Sequence, residues 1–210
     1  MSNEHAEEDD LRYGQVGEFR PVIVKLRSAA AAIRRGHIIA FPTESFYALG
    51  VDATNDDAIR ALFSAKLRMR NKPVALIAGN SKQVMKYLRL NRHELILAKK
   101  HWPGPFTMIV QPRKKRTGIQ TKALGAVAIG VRVPAHAGAR RLALAAGVPI
   151  TATSANISGQ PPTKSPRTVA RVFPDILILT GRCGKQRKPS TVVQIKGKYL
   201  TLIRQGAARV

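Results

Sequence analysis

The residues with chemical potential in this chain are hydroxyls, amides and cations placed where apolar side chains would be expected. Residues 42–50, Pro-Thr-Glu-Ser-Phe-Tyr-Ala-Leu-Gly, follow directly on an apolar run. The hydroxyls of Thr43 and Tyr47 and the carboxylate of Glu44 therefore emerge at a strand's C-terminal end, where α/β folds bind ligands; an ordinary turn closed by a threonine hydroxyl is the competing reading. Lys66 and Arg68 stand in a cation-rich run ahead of Pro73. On a continuous helix they would diverge, so both reach one phosphate only if the helix ends between them; complementing a helix C-terminus is the alternative. Thr151, Thr153, Ser154 and Asn156 interrupt a stretch otherwise built for burial. They allow close approach of a nucleotide, or else Ser154 and Asn156 cap the next turn. Ser190 and Arg204 sit at the start and end of terminal strands, and each is weak evidence alone.

Other chemistries are missing from the sequence. It has no Walker A motif, no Gly-rich dinucleotide fingerprint and no G-x-S-x-G elbow. Five scattered histidines and one cysteine offer no metal-ligand spacing, so no protein-bound metal is expected. Cys183 lies in a basic loop, where a lowered thiol pKa is available, but nothing beside it in sequence activates a nucleophile. Only seven carboxylates lie beyond the first ten residues, too few for two-acid hydrolysis.

Charge points to an anionic partner. The 210 residues carry 36 Lys and Arg against 12 Asp and Glu, net +24, and from Leu95 onward 21 basic residues face one acid, Asp175. Clustered cations steer and hold phosphates, whether of a nucleotide or of a nucleic acid. A single cysteine and the absence of any long apolar run favour a cytoplasmic protein with no membrane contact.

These groups must be positioned by alternating elements. Residues 1–20 are polar and unpatterned, with five acids in the first ten, and are expected to be a disordered acidic leader before one domain over 21–210. Patterning predicts helices over 22–35, from Asn55 as N-cap, and over 81–88, 92–101, 136–146 and 168–173. On the second of these, Ile59, Leu62, Phe63 and Lys66 share one face, which puts a lysine on the apolar stripe. Strands are predicted over 37–41, 74–78, 106–111, 127–133, 149–154, 176–179, 191–195 and 200–204. Helices interleaved with short strands give an α/β class, with the terminal strands antiparallel.

Taken in order, these segments resemble the YrdC family of threonylcarbamoyl-adenylate synthases, over residues 30–207. The likeness rests on P-T-E-S/T-x-Y-x-L-G at 42–50, K-x-R at Lys66 and Arg68, Trp-Pro-Gly-Pro-Phe-Thr at 102–107, Val-Arg-Val-Pro at 131–134, Ser-Ala-Asn at 154–156, Ser-Thr-Val at 190–192, and Arg-Gln-Gly-Ala at 204–207. The resemblance implies an open α/β sandwich with a mixed sheet around a large basic concave cavity. It implies synthesis of threonylcarbamoyl-AMP and pyrophosphate from L-threonine, bicarbonate or CO2, and ATP accompanied by Mg2+. Downstream transferases would then pass the group to adenosine in tRNA. By this likeness Lys66 and Arg68 are the catalytic pair on the phosphates, and Thr43, Tyr47, Arg132 and Ser190 bind threonine. Thr107, Ser154, Asn156 and Arg204 complete the nucleotide site, and Lys66→Ala is expected to abolish adenylate formation at little cost in stability.

Three positions depart from the family pattern: Ser45 replaces the usual Thr, Phe46 a smaller aliphatic residue, and Met69 a proline, which loosens the expected presentation of Arg68. The regulatory domain of longer relatives has no counterpart expected after Arg204. A non-catalytic RNA-binding paralogue of the same fold, using the basic half as its platform, is the second reading; the low aromatic content, 5%, speaks against it.

Overall fold

The computed structural model describes residues 22–69, 72–112, 118–120, 124, 128–197 and 199–210. The expected acidic leader lies outside the described residues. Eleven strands and six helices occur among the described residues. The strands are β1 (Ile23–Val24), β2 (Ile39–Pro42), β3 (Tyr47–Gly50), β4 (Ala75–Ile77), β5 (Leu88–Arg89), β6 (Phe106–Pro112), β7 (Ile129–Arg132), β8 (Ile150–Ser154), β9 (Leu177–Leu179), β10 (Thr191–Lys196) and β11 (Tyr199–Arg204). The helices are α1 (Leu26–Arg34), α2 (Asp56–Ala65), α3 (Ser81–Tyr87), α4 (Arg92–His101), α5 (Ala137–Ala146) and α6 (Pro166–Val172).

They form one open mixed sheet in the order β1-β9-β2-β3-β8-β4-β7-β6-β10-β11, with β5 paired to β6. β1, β9 and β2 run parallel, as do β4 with β7 and β6 with β10; the remaining pairs, including terminal β10 and β11, are antiparallel. The α/β class and the antiparallel end of the sheet are as the sequence predicts.

Helix starts follow their side chains. Asn55 accepts from the Ala58 N–H, Asn80 from Gln83, and Asn91 with Glu94 closes a reciprocal capping box. At α6, Ser165 accepts from Thr168 and Pro166 occupies the first turn, so the helix begins two residues before the predicted 168. The predicted helix over 22–35 is divided: β-branched Ile23 and Val24 pair with Ile178 and Leu179 at the sheet edge, and only Leu26–Arg34 coils. The stretch after β2 also does more than turn, because Tyr47–Gly50 folds back antiparallel on Ile39–Pro42.

Strand alternation builds two cores. Tyr47, Leu49, Leu76, Met108, Val131 and Val193 point to one face, where α2 contributes Ile59, Leu62 and Phe63. On the other face, Ile39, Phe41, Ala48 and Ile77 meet the alanine-rich sides of α1 and α5, whose small residues let the two helices lie close together. The α1/α5 layer packs against β9, β2 and β4. Further along that same face the residues alternating with the larger core are Ala75, Thr107 and Arg132, and there the functional cavity opens.

Candidate active site

A cavity of about 610 Å³ lies over this stretch of sheet. That is the size range of small-molecule and cofactor sites. Thr43, Ser45 and Phe46 contribute from the β2–β3 turn, Ser154 from the end of β8, Thr107 from β6, Arg132 from the end of β7, Ser190 from just before β10 and Arg204 from the end of β11. Arg68 and Arg187 reach it from loops, and Tyr47 closes the base of the turn. Eight of the ten residues named from sequence thus come together: Thr43, Tyr47, Arg68, Thr107, Arg132, Ser154, Ser190 and Arg204. Lys66 and Asn156 are not in its lining among the described residues.

The polar groups are held in place by the chain itself. The Thr43 hydroxyl donates to the Phe46 carbonyl at 2.7 Å and accepts from the Ser45 N–H at 3.3 Å, so the turn reading holds while its hydroxyls still border the cavity. Tyr47 is fully buried and donates to the Gly181 carbonyl at 3.0 Å; burial pushes its phenol up and keeps it neutral. Thr107 donates to the Ser190 hydroxyl at 2.8 Å, and Arg204 donates to the Ser190 carbonyl at 2.9 Å. Gly206 makes this closure sterically feasible, since a Cβ there would stand 2.3 Å from the Pro189 carbonyl oxygen.

Arg132 pairs with Glu44, which hydrogen-bonds to one of its guanidinium nitrogens. Burial lowers the Arg132 guanidinium and Glu44 raises it; as an arginine it remains charged throughout. Arg68 donates to the carbonyls of Lys72 and Pro73, both at 3.0 Å, and so pins its own loop while lining the cavity. Burial also lowers Arg68 from its ordinary value.

Helix α2 ends where the Lys66–Arg68 argument requires. Lys66 is its C-cap, and Leu67 takes a left-handed conformation, φ 49°. The two cations then part company. Lys66 turns inward at 1% exposure and donates to the Ser154 and Asn156 carbonyls, while the Ser158 N–H donates to the Lys66 carbonyl at 3.1 Å. Among the described residues the buried ammonium meets neutral dipoles and no carboxylate, so desolvation, aided by Arg68, lowers it to about 8. Lys66 therefore fixes the backbone behind Ser154. Asn156 caps the following turn through the Ile157 and Gln160 carbonyls, while Ser154 lines the cavity, so the capping reading of that segment fits Asn156 and not Ser154.

Leu67 is 75% exposed, so its strained conformation is not compensated by burial. Leu67→Gly is expected to stabilise the protein by up to about 1 kcal/mol, and Leu67→Ala is not; chemical denaturation of the two variants checks this.

Arg187 lines the cavity although the sequence reading assigns it no role; Ser45 lines it too, and Glu44, expected at the same ligand-binding strand end, does not. The signal for Arg187 was the basic loop 182–189, whose Gly184 packs against Glu44 with its N–H on the Thr43 carbonyl at 2.9 Å. In that loop Cys183 is half-buried, and burial raises its thiol, reversing the lowered pKa expected of a basic loop.

The Sua5/yciO/yrdC family model, described as telomere recombination, matches residues 31–206. The chain belongs to the Sua5/YciO/YrdC family. Among solved structures, P. abyssi Sua5 in complex with L-threonine is 32% identical, with a TM-score of 0.78 over 89% of this chain and 56% of that one. A double-alanine variant of P. abyssi Sua5 gives 30% identity and a TM-score of 0.81, over 90% of this chain and 61% of the other. E. coli YciO shares the fold at 24% identity, with a TM-score of 0.75 and 88% and 90% coverage. This Sua5/YciO/YrdC chain thus spans about three-fifths of the length of those Sua5 chains. Among the described residues no helix is long and apolar enough to cross a membrane.

Proposed function

We propose that this protein is an L-threonylcarbamoyladenylate synthase. One observation carries the reading: four arginines, Arg68, Arg132, Arg187 and Arg204, line one cavity together with the hydroxyls of Thr43, Ser45, Thr107, Ser154 and Ser190. No Asp or Glu is in that lining among the described residues. The likeness to a Sua5 solved with L-threonine supports the choice of amino acid.

The chemistry needs oriented cations more than a general base. Threonine's amine adds to CO2 with loss of a proton to give a carbamate. A carbamate oxygen attacks the α-phosphorus of ATP, the bond from that phosphorus to the α–β bridging oxygen breaks, and pyrophosphate leaves. Two anions must be held together while charge grows on the phosphates, so positioning and electrostatic stabilisation dominate. In this reading Thr43, Tyr47, Arg132 and Ser190 take the threonine. Arg68, Arg187 and Arg204 take the phosphates, and Thr107 and Ser154 face the adenylate. Lys66 acts through the Ser154 backbone. Mg2+ arrives with ATP as part of the substrate, and no cluster of three His, Cys, Asp or Glu that could hold it independently occurs among the described residues. The product is consumed by transferases that modify tRNA, and the basic second half gives affinity for the RNA.

The test is pyrophosphate release from MgATP and bicarbonate, with and without L-threonine, the nucleotide products read by mass spectrometry. Threonine-dependent release with a product of threonylcarbamoyl-AMP mass is expected. No release, with tight and steeply salt-dependent RNA binding, would replace the synthase with the RNA-binding paralogue.

A further inference from the structure

Glu44 is the carboxylate paired with Arg132, a residue of the cavity lining, and no role falls to it in the reading above. It is buried in the β2–β3 turn. One carboxylate oxygen, Oε1, accepts from Arg132, and the other, Oε2, is buried with no hydrogen-bond partner among the described residues. The carboxylate thus depends on a single cation, and it does not line the cavity.

Its backbone is fixed from two sides. Within the turn, Thr43 closes on Phe46. From outside, the Gly184 N–H donates to the Thr43 carbonyl at 2.9 Å and the Gln186 N–H to the Glu44 carbonyl at 3.0 Å. The approach is so close that a Cβ on Gly184 would stand 2.5 Å from the Glu44 carbonyl oxygen. A carboxylate anchored this firmly sets the direction of whatever it binds. Arg132 ends β7 and carries five guanidinium N–H donors, of which Glu44 takes one nitrogen; the rest of the planar fork is available to the cavity that Arg132 lines.

We propose that Glu44 is a positioning residue: its Oε1 fixes the Arg132 guanidinium so that the free edge of the fork meets the carboxylate of an amino-acid substrate in the cavity. The assignment of threonine to that edge rests on the synthase reading; the ordering of Arg132 does not. Rotation about a guanidinium is slowed when it is held by a buried carboxylate, and the fork then presents one geometry to a bidentate anion.

The test begins with 15N-labelled arginine in the full chain, with Arg132→Lys identifying the Arg132 signals. Slowly exchanging, resolved Nη resonances are expected for Arg132 in the native protein and averaged ones in Glu44→Gln. Averaged resonances in the native protein, or resonances unchanged by Glu44→Gln, would overturn the proposal. L-threonine and ATP binding are then titrated separately. Glu44→Gln is expected to weaken threonine binding by about tenfold and ATP binding by less than about twofold, whereas equal loss of both would mean structural damage and would overturn it. Glu44→Asp, with the charge retained but drawn back by one methylene, is expected to fall between native and Gln on both readouts; a Glu44→Asp variant as averaged as Gln, with native threonine affinity, would also count against it. If the native protein shows an ordered, Glu44-dependent Arg132 but binds no threonine, the synthase reading fails and the positioning role stands.

Discussion

Arg132→Met is expected to destabilise the protein by about 3–5 kcal/mol, and adding Glu44→Gln to it to restore most of that loss. The side chains of Arg132 and Glu44 are only 13% and 11% exposed, which sets them apart from surface pairs worth well under 1 kcal/mol. In the single variant the Glu44 carboxylate stays in the same closely packed turn with neither oxygen paired, because its other oxygen already lacks a partner among the described residues. The neutral amide of the double variant removes that stranded charge. A denaturant double-mutant cycle measures the coupling; additive losses at the two positions would mean that water reaches Glu44 and the pair is not a buried one. Activity should not return with stability, since the double variant still lacks the guanidinium.

Much of this was legible in the sequence because local signals agreed with the tertiary outcome. Asn55 marks a helix start by its side chain, and the structure uses it that way. Lys66 shares the apolar stripe of α2 in the sequence, and the structure buries it there. What could not be read was its direction, because one left-handed residue, Leu67, decides that Lys66 turns in and Arg68 turns toward the cavity. Leucine gives no local signal for that conformation. The return strand Tyr47–Gly50 was equally hidden. Its four residues are all buried, so no alternation betrayed it, and its second pairing, with β8, is a long-range fact. Gly184 and Arg187 belong to a loop whose composition reads as solvent-exposed, and only packing against Glu44 brings it to the site.

Lys66 also changes what its own mutation should do. From sequence it is a phosphate ligand whose loss leaves the fold intact; in the structure it is a buried ammonium tying α2 to the segment after β8. With a native pKa near 8 and an ordinary value of 10.5, the unfolded chain holds the proton more tightly. Below about pH 8 both states are protonated and the full burial penalty is present. Between about 8 and 10.5 the native state releases its proton first, so stability rises with pH, by about 3 kcal/mol across the window. Lys66→Met keeps the length of the side chain and removes both the charge and this slope. Near pH 7 the variant gains by not burying an ion and loses the donors to two carbonyls, so its stability should lie close to the native value. At pH 10 it should fall below the native protein by a few kcal/mol, and urea unfolding of the two at matched pH cancels every other titrating group. A native-minus-variant difference independent of pH would put Lys66 in solvent and return it to the phosphates. Adenylate formation should be lost in Lys66→Met at every pH, because the Ser154 backbone that it holds forms the cavity wall.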